Sequence, residues 1–142
     1  MDPSGDAVIQ LLILFILLAL SAFFSSSETA LVTVNKIRMR NMAEGGNKQA
    51  ETVIKTVENQ GKMLSAILIG NNVVNLSASS LATVMASSLF GNKAVGIATG
   101  ILTLLILVFG EITPKTMATY SAEKISLKVA GYIYFLMTVL TP

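Results

Sequence analysis

The stretch at residues 8–27, VIQLLILFILLALSAFFSSS, decides the class of fold because it carries no charged residue. A helix needs about 20 mainly apolar residues to cross the hydrocarbon of a bilayer. Two later stretches, at 63–88 and 94–110, have the same character. Together they make the chain 53% hydrophobic and only 13% charged, with a mean hydropathy of +0.70. The sequence therefore predicts an all-α membrane protein with three transmembrane helices.

The three crossings and the segments between them define one predicted membrane domain over residues 1–142. The first run resembles a signal peptide in position, but its leader carries Asp2 and Asp6 and no basic residue, so we expect the span to be retained. We expect the last apolar segment to lie along the inner membrane interface or to dip into it. The expected boundaries are 1–34 for the first crossing, 35–62 for a cytoplasmic helical hairpin, 63–90 for the second crossing, 94–118 for the third and 121–142 for a juxtamembrane helix.

Lysine and arginine residues are distributed unevenly among the loops of this domain. Cytoplasmic loops of membrane proteins carry an excess of these residues. The distribution predicts an N-terminus outside, a cytoplasmic loop at 35–62 and a cytoplasmic C-terminus, in the cell (inner or plasma) membrane. Lys36, Arg38, Arg40, Lys48, Lys55 and Lys62 lie between the first two crossings, Lys115, Lys124 and Lys128 follow the third, and Lys93 alone lies in the outer turn FGNK.

The basic loop itself shows helical periodicity. In the segment NKQAETVIKTVEN the apolar residues recur at the spacing of one helix face, with charged residues opposite. Gly45 and Gly46 separate this segment from NKIRMRNMA, which precedes it. We therefore expect two short helices in a hairpin against the inner membrane surface. The apolar face consists of Ala50, Val53, Ile54 and Val57.

A carboxylate at membrane depth is the main functional signal. Glu111 follows the third apolar run directly, in the segment VFGEITPK, although a charge within hydrocarbon is costly. Counting at about 1.5 Å per residue from the outer surface places Glu111, Ser25 and Asn71 at a common depth of about 24 Å on three different helices. Polar groups from all three crossings are therefore expected to surround the carboxylate.

The groups around this carboxylate supply oxygen ligands. One turn outward of Ser25 and Asn71 lie a further serine and asparagine, which share their helix faces. The Gly110 carbonyl loses its helical partner because Pro114, four residues later, has no N–H. The chain contains no cysteine and no histidine, so the oxygen set suits hard cations such as Mg²⁺, Ca²⁺ or Na⁺. The expected metal ligands, with Pro114 as a helix break beside them, are Ser21, Ser25, Asn71, Asn75, Gly110 and Glu111.

Small residues recur within the crossings and bear on assembly. The segment GIATG places Gly96 and Gly100 four residues apart, on one helix face. Small residues let helices approach closely in lipid. Because three helices alone bury little surface, we expect a homodimer in the lipid bilayer.

Three segments resemble motifs of one known family. LSAFFSSSETAL in the first crossing, LIGNNVVN in the second and VFGEITPK in the third resemble the membrane domain of the CorB/CorC magnesium transporters, which are related to the cyclin M proteins and are also called DUF21. The resemblance implies a homodimer with three crossings, a cytoplasmic helical hairpin and a juxtamembrane helix. It also implies export of Mg²⁺, in exchange for Na⁺, from an inward-facing cavity.

The same resemblance assigns ion-binding roles by motif. It carries them to Ser21 and Ser25 of LSAFFS, to Asn71 of IGNN and to Gly110 and Glu111 of FGE, while Asn75 of VVN is a less direct match. In this family a nucleotide-binding CBS pair and a CorC domain follow the membrane domain in the cytoplasm. We expect both after Pro142 in the full-length chain.

The main expectation is a Mg²⁺ transporter that works by alternating access, and two alternatives stay open. One is a Na⁺-driven or proton-linked carrier of the same fold, in which Glu111 handles the monovalent ion. The other is a non-transporting Mg²⁺ sensor or scaffold that regulates another transporter. No motif pairs a nucleophile with a base, so we expect no enzyme, and we expect no nucleic-acid partner.

Overall fold

The computed structural model describes residues 3–140, with side chains at 6–88, 91 and 96–140. Within that part of the chain the regular structure is entirely helical, which confirms the all-α class. Three stretches are long and apolar enough to cross a membrane, namely Asp6–Thr33, Gln60–Ser88 and Gly96–Tyr120. The elements are α1 (Pro3–Thr33), α2 (Lys36–Glu44), α3 (Lys48–Glu58), α4 (Gln60–Leu107), a π-helical turn (Val108–Ile112), α5 (Thr113–Tyr120) and α6 (Ala122–Leu140).

Helix α4 contains the reversal between the second and third spans. It consists of two helices that meet at a kink at Gly91, which has φ of 73° and ψ of 179°. Residues with a side chain rarely adopt this φ, so glycine permits the change of direction. The chain does fold back here, because Asn75 and Glu111, on either side of Gly91, are hydrogen-bonded to each other. The other members of the predicted turn FGNK, namely Phe90, Asn92 and Lys93, have side chains outside those described.

The loop after the first span contains two short helices, α2 and α3, which pack against each other. Asparagine side chains cap the starts of α2, α3 and α4 by accepting a hydrogen bond from a backbone N–H three residues later, which satisfies one of the free donors at a helix start. The side of the membrane that this loop occupies stays a prediction. The bonds join Asn35 to Arg38 (3.1 Å), Asn47 to Ala50 (3.0 Å) and Asn59 to Lys62 (3.2 Å).

Helix α6 packs against α3, α1 and α4 and is not one of the three candidate spans. Thr56 of α3 donates a hydrogen bond to its own helix at Thr52 (2.7 Å) and a longer one to the carbonyl of Ala130 in α6 (3.3 Å). Arg38 of α2 forms an ion pair with Glu123 at the start of α6, at 2.8 Å. The helices of the loop therefore hold α6 beside the inner-loop end of α1. Its placement at the membrane interface stays a prediction, and residues 141–142 lie outside those described.

Two apolar clusters lie at different levels of the helix bundle. The smaller one joins Leu14 of α1 to Ala78 and Met85 of α4. The larger one includes Phe24 and Leu31 of α1 and extends to the loop helices and α6. Ser21 and Ser25 are buried on either side of Phe24 in the chain, so a polar layer lies within the apolar core. This layer contains the candidate site.

Candidate cation site

Glu111 lies in the π-helical turn, where the helix widens. The backbone N–H of Thr113 donates to the carbonyl of Val108, five residues earlier. The sequence suggested a helix break at Pro114, and this is corrected, because Thr113 keeps helical angles (φ −63°, ψ −47°) and α5 continues through the proline. The missing N–H of Pro114 is thus accommodated by one wider turn. π-Helical turns of this kind are frequent at functional sites.

A chain of hydrogen bonds connects the three spans at Glu111. The Ser21 hydroxyl donates to Asn75 Oδ1 at 2.8 Å, and Asn75 Nδ2 donates to Glu111 Oε1 at 2.9 Å. The Ser21 oxygen also lies 3.4 Å from the Gly110 carbonyl oxygen. A hydroxyl has one proton to donate, so the shorter contact to Asn75 is the main bond. Four of the six predicted ligand residues are therefore in direct contact.

Gly110 permits this close approach of the first and third spans. A Cβ atom at this position would lie 3.0 Å from Ser21 Oγ and 3.2 Å from a methyl carbon of Leu18. The Gly110 residue is buried, and its carbonyl has no α-helical N–H partner because residue 114 is a proline. A side chain here would separate the Ser21 hydroxyl from the Gly110 carbonyl.

The two remaining predicted ligands, Ser25 and Asn71, lie one helical turn farther towards the loop helices. Their oxygens, Ser25 Oγ and Asn71 Oδ1, are buried and have no hydrogen-bond partner among the described residues. An unsatisfied buried polar atom costs about 1–3 kcal/mol. Because both oxygens can accept and lie on the faces of Ser21 and Asn75, they fit a cation bound beside the Glu111 carboxylate. These two unpartnered oxygens are the strongest indication of a bound ligand at this site.

Gly70 brings these two inward residues together. The ring of Phe24 packs so closely on Gly70 that a Cβ atom there would lie 2.5 Å from the ring. Phe24 and Gly70 immediately precede Ser25 and Asn71 in the chain. The contact between α1 and α4 at this level therefore depends on the absence of a side chain at position 70.

The charge of the site comes from a single carboxylate. Glu111 forms no ion pair with any described lysine or arginine, and no group of three or more His, Cys, Asp or Glu side chains that could hold a metal occurs in the described part of the chain. Asn75 donates to the carboxylate and so provides part of its hydrogen bonding. A site of one carboxylate and several neutral oxygens suits a hard cation held weakly enough to be released.

Two features of the site were missed by sequence reasoning. The first is the π-helical turn, for which the spacing Gly110 to Pro114 was the available signal. The second is the bond from Asn75 to Glu111, since the sequence analysis treated the asparagine only as an oxygen ligand.

The serines that follow Ser25 differ from it, because Ser26 and Ser27 donate to the carbonyl of Phe23 in their own helix (3.1 and 2.6 Å).

These features define the class of protein: a multi-pass, all-helical membrane domain with a polar cluster enclosed between its spans. Residues 12–142 match the family model described as the cyclin M transmembrane N-terminal domain. The chain belongs to this family, which confirms the resemblance found in the sequence.

Relatives in bacteria and plants have related membrane domains. The chain is 48% identical over 131 residues to a UPF0053 protein of Haemophilus influenzae, covering 92% of this chain and 31% of the relative. It is 46% identical over 107 residues to the UPF0053 inner membrane protein YfjD of Escherichia coli, covering 75% and 25%. It is 39% identical over 135 residues to a chloroplastic DUF21 domain-containing protein of Arabidopsis thaliana, covering 94% and 20%. The chain thus spans a third or less of each of these relatives.

Proposed function

We propose that this domain binds Mg²⁺ between its three spans and moves it across the membrane, as an exporter with Na⁺ as the coupling ion. The observation that carries the proposal is the pair of unpartnered buried oxygens, Ser25 Oγ and Asn71 Oδ1, one turn inward of the bonded cluster at Glu111. Mg²⁺ takes oxygen ligands in near-octahedral geometry. Side-chain oxygens of both serines, both asparagines and Glu111, with the Gly110 carbonyl, would supply the ligands.

The existing hydrogen bonds explain how such a site would release its ion. When Asn75 Oδ1 and Ser21 Oγ both direct a lone pair at Mg²⁺, the bond from the Ser21 hydroxyl to Asn75 would weaken or be lost. Asn75 Nδ2 can keep its bond to Glu111 while its oxygen turns to the ion. The bonded arrangement therefore competes with the ion, and alternation between the two arrangements favours transport over permanent storage.

The setting of the site follows the sequence expectations. We propose a homodimer in the cell membrane, with the N-terminus outside, the loop helices and C-terminus in the cytoplasm, and the site open to the inside. In the full-length protein a CBS pair and a CorC domain would act on the domain from the cytoplasm. The coverage of only part of each relative is in keeping with such additional domains.

A sensor or scaffold that binds Mg²⁺ without moving it is the second candidate, since the same unpartnered oxygens would serve it. A Na⁺-driven or proton-linked carrier would also use Glu111. Ion flux into liposomes that hold the intact full-length protein separates these candidates. A scaffold gives no flux, whereas a monovalent carrier moves Na⁺ or protons without Mg²⁺.

Substitution Glu111→Gln tests the site directly. Because the amide removes the only charge of the cluster, we expect the affinity for Mg²⁺, measured by calorimetric titration of the purified protein, to fall by about tenfold or more. Glu28→Gln is the matched control, since Glu28 is a half-buried carboxylate near the end of the first candidate span that makes no hydrogen bond to a member of the cluster. Unchanged Mg²⁺ binding by Glu111→Gln would refute the proposal.

A further inference from the structure

A pocket with a partly polar lining lies at the junction of α3, α4 and α6, and none of the candidate cation ligands lines it. It has a volume of about 210 Å³. One wall comes from the end of α3 and the start of α4, and the other from the last turns of α6. Its lining residues are Lys55, Asn59, Lys62, Tyr134, Met137 and Thr138.

Two lysines converge on this pocket without an acidic residue in its lining. Neither Lys55 nor Lys62 forms an ion pair or a side-chain hydrogen bond within the described part of the chain. The nearest acids in the sequence, Glu51 and Glu58, do not line the pocket and make no ion pair with either lysine. Like charges brought together repel each other, and an anion between them removes the repulsion.

The other polar groups of the pocket are mainly donors. Asn59 Oδ1 accepts from the backbone N–H of Lys62, which leaves the amide NH₂ to donate. Tyr134 brings a hydroxyl that can also donate. Thr138 already donates to the carbonyl of Tyr134 at 3.0 Å, so it contributes an acceptor and contact surface. Ammonium, amide and phenol donors around one cavity match the several acceptor oxygens of a phosphate group.

The position of the pocket favours the same ligand. Lys62 lies in the first turn of the second candidate span, Gln60–Ser88, at the end of that span. Lipid phosphates lie at this level, and lysines near a membrane surface are attracted to anionic lipids. Met137 is buried and gives the pocket an apolar side.

We propose that the pocket between Lys55, Lys62 and Tyr134 binds a phosphate group. The phosphate belongs either to the headgroup of an anionic phospholipid or to a soluble phosphate compound. Bound there, it joins the start of the second span to α6, which carries no residue of the cation site. The phosphate site shares no residue with the cation site, so the phosphate proposal and the Mg²⁺ proposal can be tested and refuted separately.

Native mass spectrometry of the delipidated full chain tests this proposal. We would titrate phosphatidylglycerol, which is anionic, and phosphatidylcholine, which is zwitterionic, and in separate samples inorganic phosphate or pyrophosphate. The pocket variant is Lys55→Gln/Lys62→Gln. The control is Lys36→Gln/Lys48→Gln, which removes the same charge from two lysines of the loop helices that are exposed, as Lys55 and Lys62 are, but do not line the pocket. Thermal melts establish that both variants are folded.

We expect the native chain to bind phosphatidylglycerol in preference to phosphatidylcholine, or to bind the soluble phosphates. The pocket variant should lose about tenfold or more in affinity for that ligand, because two charge-assisted contacts are removed. The control should lose less than about twofold, because Lys36 and Lys48 do not line the pocket and act on its ligand only through screened long-range attraction. Binding of the soluble phosphates by the lipid-free native chain, lost in the pocket variant, identifies a soluble ligand, whereas binding of phosphatidylglycerol without binding of the soluble phosphates identifies the lipid. Equal losses in the two variants, or no binding of either kind by the native chain, would overturn the proposal.

Discussion

At the residue scale, Ser25 and Ser26 are neighbours with different surroundings. The Ser26 hydroxyl donates to the carbonyl of Phe23 in its own helix, which is the usual arrangement for a serine in a membrane helix. The Ser25 hydroxyl is fully buried and has no partner among the described residues. An interaction made in the functional state would offset this cost. A bound cation would do so.

Substitution Ser25→Ala should therefore change affinity and stability in opposite directions. Loss of a neutral ligand is expected to weaken Mg²⁺ binding by roughly three- to tenfold, whereas loss of an unsatisfied hydroxyl leaves the melting temperature of the ion-free protein unchanged or higher. Titration calorimetry and thermal melts on the same samples measure the two effects. Ser26→Ala is the control and should leave Mg²⁺ affinity unchanged. If Ser25→Ala binds Mg²⁺ as the native chain does, Ser25 is a structural residue.

The sequence located much of this cluster because depth and helix periodicity are simple geometry. Counting along three helices grouped Glu111 with Ser25 and Asn71, whereas the structure bonds Glu111 to Asn75 and through it to Ser21, one helical turn away on the same faces. Their role as ligands stays a prediction. The donor and acceptor assignments could not be read from the sequence, because Asn75 can turn either its oxygen or its nitrogen to a neighbour. That choice depends on the three-dimensional positions of both partners.

At the scale of elements, the shape of the third span around Pro114 could be predicted only in part from the sequence. Pro114 removes one hydrogen bond of the helix, and this was predictable. A helix can respond to that loss by breaking, kinking or widening, and packing decides among these outcomes. Here the widened turn, Val108–Ile112, packs against both α1 and α4. The long-range contact between Ser21 and Gly110 belongs to this packing and has no local sequence signal.

The packing of α1 on α4 leads to a prediction at Gly70. A methyl group there would lie 2.5 Å and 2.7 Å from ring atoms of Phe24, so in Gly70→Ala either the tightly packed ring or the two helices must shift, and we expect the helices to move apart. Overpacking of this kind costs about 1–3 kcal/mol, which a thermal melt in detergent should register as a lower melting temperature. Mg²⁺ affinity should also fall, because the next residues, Ser25 and Asn71, separate.

Gly131→Ala is the matched control for this experiment. Gly131 also lies inside a helix, α6, but a Cβ atom there has no neighbour within 4 Å. Alanine has the higher helix propensity, so this variant should be as stable as the native chain or slightly more stable. Equal stability of Gly70→Ala and the native chain would mean that Phe24 moves aside at no cost, and that Gly70 does not control the spacing of the spans.

At the scale of the whole molecule, hydropathy was sufficient to predict the all-helical membrane class, since a helix satisfies its own backbone inside lipid. Hydropathy says nothing about what surrounds the bundle. Asn72 is an example, because its side chain is exposed in the second span and has no hydrogen-bond partner among the described residues. Leu68 and Leu76, one turn to each side on the same face, are 59% and 69% exposed. An amide facing hydrocarbon is costly unless another chain provides a partner.

The proposed homodimer would provide that partner by placing the Asn72 face of one copy against the same face of the other. Asn72→Leu should then weaken the dimer by about 1 kcal/mol, or roughly fivefold in the dissociation constant, because hydrogen bonds between membrane helices are of this size. Sedimentation equilibrium in detergent measures the constant. Asn41→Leu makes the same chemical change at an exposed position of α2, outside the candidate spans, and should leave the dimer unaffected. A dissociation constant unchanged by Asn72→Leu would place the interface on another face, and a monomeric native chain would remove the dimer from the proposal.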